Sequence, residues 1–392
     1  MKILFVYEWL VKAGAQKYLY EIVIALKSRG YDVGVVCGIN SSNQKVINKE
    51  FYYFKLKKEG VKIYPLMNFR ANKKSFFKKK IERIIDSFEY RSGYKFFSKY
   101  FDFNNLKKIE SLFSEYDRLE IIDFNTYLDL KLSVDKYIFK SDIHILCNVL
   151  QFKDNFLKRF NCETGYNICY PFKSQLNEFK LSNLKLNKSF NFPLSIEFKN
   201  FNLINIRNIQ KGSINIGIFT RIAFNKNIDL FILTLFTLIS KYKRNNFNLK
   251  IFGFIEHQNY YNSVLNLINF YQINDYISFE NHSDDFNKTI EDHNLSLAWF
   301  HFSGDYPGFA GIEIAALGLP SLFFNVTWKT DVDSDFPLKV VSDIDSLSTE
   351  TIKLIEDQEY MNQIIYSQIE FLRDKCDITK NILNFEKFIL NN

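Results

Sequence analysis

Histidine and cysteine are scarce in this chain, at five residues each among 392. The cysteines (Cys37, Cys147, Cys162, Cys169, Cys376) are scattered and odd in number, and only Cys162 and Cys169 are near neighbours. No spacing among them suits a zinc site, and they read as reduced, mostly buried thiols of a cytosolic protein. The histidines (His144, His257, His282, His293, His301) show no metal-ligand spacing either. Long apolar runs are also missing: a membrane span needs roughly 20 residues, and the longest run, Leu230 to Ile239, is far shorter and contains two threonines. The opening residues, Met1-Lys-Ile-Leu-Phe-Val-Tyr-Glu8, are too few and too soon charged for a signal peptide. Low-complexity tracts and internal repeats are absent.

What is present bounds a folded enzyme. At 392 residues the chain is too long for one compact core, and two α/β domains are expected. Hydrophobic content of 47% is ample for both. The net charge of +7 is confined to one place: Arg70 to Lys99 holds ten Lys/Arg and three Asp/Glu, which accounts for all of it. The rest is neutral overall and carries no electrostatic footprint for nucleic acid.

Along the chain, residues 2–7 form a short apolar run, followed by a helical pattern with Leu19, Ile22, Val23 and Leu26 on one face. Gly30 closes it, and Asp32–Cys37 reads as a second buried strand, giving the strand–helix–strand start of a parallel sheet. Strand-like runs return near Leu119–Ile122 and Ile143–Cys147. In the second half, strands are expected at 213–219, 248–254, 276–280, 295–300 and 320–325. Helices are expected at about 227–242, 258–272, 284–293 and 311–317, with a helical tail from 349. The expected organisation is an N-terminal Rossmann-like domain over 1–173 with a basic aromatic helical insert at about 66–118. An interdomain crossing over 174–212 leads to a second domain over 213–375, and a final helix over 376–392 returns toward the first.

In open α/β sheets, ligands bind in loops beyond the carboxyl ends of the strands. Two residue pairs fall in such loops. Arg221 and Lys226 stand in Gly217-Ile-Phe-Thr-Arg221-Ile-Ala-Phe-Asn-Lys226, where a guanidinium fork and an ammonium can hold a diphosphate. Asp305 and Glu313 bracket Asp305-Tyr-Pro-Gly-Phe-Ala-Gly-Ile-Glu313, which opens a helix. Gly308 and Gly311 allow close backbone approach, and free amides at a helix N-terminus favour anions. Singly, each feature has a duller explanation: a solvated pair, a turn former before Pro307, a carboxylate on a helix dipole. Together, cations, a helix N-terminus and carboxylates suit phosphate, ribose and sugar. The small residues Ala13, Gly14 and Ala15, between the first strand and first helix, would line the cleft from the other domain.

These residues resemble the retaining GT-B glycosyltransferases usually called family 4. Its members carry a small-residue loop after the first strand (here Ala13-Gly14-Ala15-Gln16) and an Arg with a Lys five residues later (Arg221, Lys226). They also carry a Glu-x7-Glu signature, matched in spacing by Asp305 and Glu313, and a small-Gly-x-Pro turn, here Leu317-Gly318-Leu319-Pro320. The resemblance covers about 213–390 well, residues 1–37, and 140–172 loosely. It implies an α/β GT-B fold, two doubly wound Rossmann-like domains facing a central cleft. It implies that Arg221 and Lys226 contact the donor diphosphate and that Glu313 binds the ribose. Asp305 would sit beside the transferred sugar, and the amides of Gly308, Phe309, Ala310, Gly311 and Ile312 would hold sugar and distal phosphate. Asp305, one methylene shorter than the family's first Glu, departs from the pattern. So does Ile121-Ile-Asp123-Phe-Asn125-Thr126, where members often place a histidine; Asp123 and Asn125 are weak candidates there.

The implied activity is transfer of a sugar from a nucleotide-sugar donor to a glycan or lipid-linked acceptor, as in bacterial O-antigen, capsule or lipopolysaccharide assembly. It needs no cofactor and no metal. Asp331-Val-Asp333-Ser-Asp335 looks like a metal-binding Asp-x-Asp but reads as a solvated turn. The segment 70–99 interleaves cations with bulky apolar residues, which suits a peripheral helix on the anionic inner face of the cytoplasmic membrane. Two other readings stay open: a non-catalytic GT-B subunit that positions a partner transferase, and a nucleotide-sugar epimerase of the same fold.

Overall fold

Several strands in this chain are short runs of branched and aromatic residues that lead from their carboxyl ends toward helices. In the computed structural model the described residues are 1–8, 10–38, 51–66, 103–146, 165–172, 176, 185–198, 212–282, 285–302, 307–325 and 338–390. They form two units: Met1–Ser195 with Ile378–Asn392, and Ile196–Asp377.

The first unit is built on seven parallel strands: β1 (Lys2–Val6), β2 (Asp32–Val36), β3 (Lys62–Tyr64), β4 (Arg118–Ile122), β5 (Ser141–His144), β6 (Tyr166–Tyr170) and β7 (Leu186–Asn191). Their order is β3-β2-β1-β4-β5-β6-β7. The helices are α1 (Gly14–Ser28), α2 (Phe51–Lys58), α3 (Phe103–Glu115), α4 (Phe124–Val134) and, from the far end of the sequence, the last helix (Ile378–Leu390). On one face of the sheet Leu4, Val6, Leu119, Ile121, Ile143 and Ile168 pack against Ile109, Phe113, Phe124 and Tyr127. Each such buried side chain contributes roughly 1.5–3 kcal/mol. Strand β7 falls inside the stretch read as an interdomain crossing, and the structure makes it the outer strand of this sheet.

The second unit carries six parallel strands: β8 (Ile214–Phe219), β9 (Phe247–Phe252), β10 (Ile277–Glu280), β11 (Leu295–Phe302), β12 (Ser321–Asn325) and β13 (Val340–Val341). Their order is β10-β9-β8-β11-β12-β13. The helices are α5 (Ile228–Ser240), α6 (Gln258–Phe270), α7 (Phe286–Asp292), α8 (Phe309–Ala316), α9 (Ile344–Glu356) and α10 (Gln358–Lys375); the last helix of the chain is α11. Ile216, Ile218, Leu249, Ile251, Trp299 and Leu322 form one apolar face with α5, α6 and α9. The indole of Trp299 donates to Thr351 Oγ1 at 3.1 Å, which satisfies its one buried donor.

On the opposite face, near the carboxyl ends of four neighbouring strands, the rings of Phe252, Phe219, Phe300 and Phe323 stack in a row. Successive centroids are 4.7, 6.3 and 5.6 Å apart with interplanar angles of 12°, 22° and 20°. The strand registers Phe219↔Phe252 and Phe300↔Phe323 put these rings side by side. Helix α8 lies on this row. A Cβ at Gly311 would stand 2.8 Å from Pro307 Cβ and 3.3 Å from Phe323, so glycine there lets α8 sit down on the aromatic floor.

Among the described residues no helix is long and apolar enough to cross a membrane. The basic segment 70–99, Asp305 and Asp331–Asp335 lie outside the described residues.

Candidate functional site

Strand β8 ends at Phe219, and Arg221 follows in a loop that a short 3-10 turn (Phe224–Lys226) carries into α5. A second loop, after β9, is zipped to the first. Thr220 N donates to Phe252 O, Ile222 N to Phe254 O, and the amides of Glu256 and His257 both donate to Ile222 O. Gly253 makes this possible: a Cβ there would sit 1.8 Å from the Thr220 carbonyl oxygen. The zipper delivers Glu256 to Arg221, whose Nη1 donates to both carboxylate oxygens at 2.8 and 2.7 Å.

Lys226 is half-buried and no hydrogen-bond acceptor is assigned to its ammonium among the described residues. Burial pushes its pKa down, Arg221 adds to the effect, and Glu256 opposes it. Asn227, in the left-handed region at φ 48°, turns the chain into α5, and its amide nitrogen donates to His301 Nε2 at 2.9 Å. That contact makes Nε2 the acceptor and leaves the imidazole proton on Nδ1. Burial, with Lys226 nearby, holds His301 down to about 4, so it is neutral at physiological pH.

His301 also marks where the second element arrives. It lies near the end of β11, the strand paired with β8, and β11 leads through residues 303–306 to α8. The N-cap of α8, Gly308, is extended and makes no side-chain cap; the helix has no acidic residue in its first turn. Helix geometry leaves the first amides without intrahelical acceptors, and the positive end of this helix dipole stands beyond the carboxyl ends of the parallel strands, as Arg221 and Lys226 do. Gly308 has φ −66°, and a Cβ on it would meet no protein atom within 4 Å. Among the described residues nothing in the packing requires glycine there. Phe309 and Ile312 are buried, Ala310 is half-buried, and Gly311 rests on the aromatic row. Glu313 is half-buried in the second turn of α8, not the first, so the dipole explanation weighs less than its spacing suggested.

Ala13, Gly14 and Ala15 belong to the first unit, where Ala13 is the extended N-cap of α1 and no side chain caps the helix. Lys12 beside them lies 4.7 Å over the Phe51 ring. Burial, then Lys55 and Lys17, pulls its pKa down to about 8. Asp123 caps α4 through Phe124 N at 2.7 Å and takes φ 71°, a strained value for a non-glycine residue.

Sequence reasoning missed two groups. One is Glu256, with His301 and Asn227. The other is a buried polar quartet on adjacent strands of the first unit: Arg118 and Glu120 on β4, Asp142 and His144 on β5. Arg118 Nη2 donates to Asp142 Oδ2 at 2.5 Å, His144 Nε2 lies 2.7 Å from Glu120 Oε2, and Tyr18 Oη is 3.1 Å from His144 Nδ1. A cavity of about 440 Å³ between β7 and α11, lined in part by Lys188, Phe190 and Phe388, involves none of the candidate residues.

No family model and no curated protein matches the sequence. Solved structures do match over the whole chain. A structure of Anabaena Alr3699/HepE in complex with UDP and glucose is similar at TM-score 0.74 and 12% identity, covering 100% of both chains. A glycosyltransferase from Rickettsia africae is similar at 0.71 and 14%, covering 100% of this chain and 99% of that one. The lipopolysaccharide outer core galactosyltransferase WaaB in its apo form reaches 0.64 at 12%, with 100% and 99% coverage. The two parallel α/β sheets and these full-length likenesses identify the fold as GT-B.

Proposed function

We propose that the chain is a retaining glycosyltransferase that moves a sugar from a nucleotide-sugar donor to a glycan or lipid-linked acceptor. The observation that carries this reading is the half-buried Lys226 ammonium beside Arg221 at the end of β8, with no hydrogen-bond acceptor among the described residues. A cation withdrawn from water is costly unless anions surround it, and Glu256 only partly offsets the burial of Lys226. The N-terminus of α8 supplies a second positive element beyond the neighbouring strand.

In this reading Arg221, Lys226 and the amides of Gly308 to Ile312 hold the donor diphosphate. As the bond from the anomeric carbon to the diphosphate oxygen breaks, the electron pair leaves with the oxygen, and these groups stabilise the growing negative charge. The sugar develops oxocarbenium character, and the acceptor oxygen attacks the anomeric carbon from the face the diphosphate leaves. The acceptor's proton passes to the departing diphosphate. Glu313 accepts from the ribose hydroxyls, and Asp305 sits beside the transferred sugar. His301, neutral and with its Nδ1–H unassigned, adds a donor to the anion site without adding charge. No metal is needed, because two side-chain cations and a helix end do its work.

Neighbours of the same fold solved with UDP-glucose, and one named for lipopolysaccharide synthesis, support a sugar nucleotide as donor and a surface polysaccharide as product. We place the chain on the cytoplasmic side, with segment 70–99 on an anionic leaflet. The test is a thermal-shift screen against UDP, GDP, dTDP, CMP and their sugar conjugates, since a ligand of the folded state raises apparent stability. One nucleotide class is expected to stabilise the wild type, but neither Arg221→Ala nor Glu313→Ala. Turnover is expected to survive EDTA. No shift with any nucleotide would favour a scaffold over an enzyme.

A further inference from the structure

We propose that Glu256 is the resident counter-ion of the diphosphate site, pairing with Arg221 in the empty protein and giving way to the donor and product diphosphate. The inference rests on the donor-site reading of Arg221 and Lys226 above.

Three observations carry it. First, the pair is built and not incidental. Four backbone hydrogen bonds and the close approach of Gly253 to Thr220 lock the two loops together, and Glu256 sits at the end of that zipper. Second, its carboxylate is shared electrostatically by both cations: it takes two hydrogen bonds from Arg221 Nη1 and partly offsets the effect of burial on Lys226. Without it, two like charges would face each other. Third, the pair is weak enough to exchange. The two side chains are 39% and 35% exposed, and ion pairs of that exposure are worth little. A diphosphate brings two or more negative charges and reaches both cations at once, so it outcompetes one carboxylate.

Among the described residues Nη1 of Arg221 holds Glu256, and Nη2 and Nε have no acceptor there, so they can take an incoming phosphate while the pair still holds. Glu256 is therefore a positioning residue whose charge also lowers the affinity for every anion. The nucleoside diphosphate left after transfer meets the returning carboxylate, which speeds its departure.

The experiment compares wild type, Glu256→Gln, Glu256→Ala and Glu256→Asp by calorimetry with UDP, GDP and dTDP, and by steady-state kinetics with product inhibition. The nucleotide that binds the wild type is expected to bind Glu256→Gln and Glu256→Ala about fivefold tighter, the size of one exposed ion pair. KM and kcat should fall together in those variants as product release slows, and Glu256→Asp should return both toward wild type. A merely structural role would weaken binding. Equal or weaker binding by Glu256→Gln, with an unchanged melting temperature, would overturn the inference while leaving the donor site standing. If no nucleoside diphosphate binds the wild type, the donor-site reading falls first and takes this one with it.

Discussion

His144 Nε2 and Glu120 Oε2 lie 2.7 Å apart with both side chains fully withdrawn from solvent. Burial pushes Glu120 up to about 8 and holds His144 down to about 4. Asp142, also raised, pairs with the permanently charged Arg118. The arrangement with least buried charge keeps Arg118 and Asp142 ionised, with Glu120 protonated and His144 neutral.

A pH dependence with a definite sign follows. Glu120 keeps its proton in the folded state up to about 8, whereas the unfolded chain releases it near the usual carboxylate value. Stability from this group is full at low pH and falls as pH rises, by up to about 1.4 kcal/mol per unit. His144 acts in the opposite sense but only between about 4 and its ordinary 6.5. The interval from pH 7 to 8 therefore separates Glu120 from His144. Glu120→Gln is expected to flatten the decline in melting temperature across that interval. An unchanged decline would place the buried proton elsewhere.

Lys226 should make nucleotide binding take up protons. Its pKa is lowered in the empty protein, and a bound diphosphate raises it again. Binding then weakens as pH rises through the lowered value, by as much as about tenfold per unit. Calorimetry between pH 8 and 10 in two buffers of different ionisation heat measures the uptake directly, and Lys226→Arg should abolish it. Zero uptake in the wild type would remove Lys226 from the site.

Two glycines should respond oppositely to the same substitution. Gly253→Ala forces a Cβ into the Thr220 carbonyl, and the loops must part, at roughly 1–3 kcal/mol. Gly308→Ala meets open space at an ordinary φ and should cost under about 1 kcal/mol of stability as a poorer N-cap. If the proposed donor site is right, Gly308→Ala should nevertheless weaken nucleotide-sugar binding at least tenfold, because the added methyl would stand where the ligand is proposed to lie. Chemical denaturation and calorimetry on the two variants separate these outcomes.

The second unit was legible because its strands β8, β9, β11 and β12 are apolar runs bounded by polar turns, and each falls within a residue or two of the expected range. The first unit was less so. Strand β7, Leu-Asn-Lys-Ser-Phe-Asn, is an outer strand with one neighbour, and its largely exposed side chains leave no hydrophobic pattern. Strand β6 carries Asn167 at its second position, which interrupts the apolar run and hides it likewise. Arg221 and Lys226 could be found because one loop holds both. Glu256 is 35 residues from Arg221 and is brought there by a glycine contact that no local spacing encodes. The buried quartet did leave a trace: Arg118-x-Glu120 and Asp142-x-His144 put charged groups at alternate positions of buried strands, on one face each.

Helix α11 joins the first unit from the far end of the chain. Its Phe385 lies 5.8 Å from the His144 ring and 5.3 Å from Phe192, and its Glu386 pairs with Arg29 on the turn after α1. During translation, the seven strands of the first sheet emerge with residues 1–195, but the roof over their polar quartet follows only after the whole second unit has left the ribosome. The contiguous unit, made second, can therefore finish folding first. Until α11 docks, His144 lacks the Phe385 ring that lies against it, so the covering of a buried site in the first unit waits on residues that follow the whole second unit.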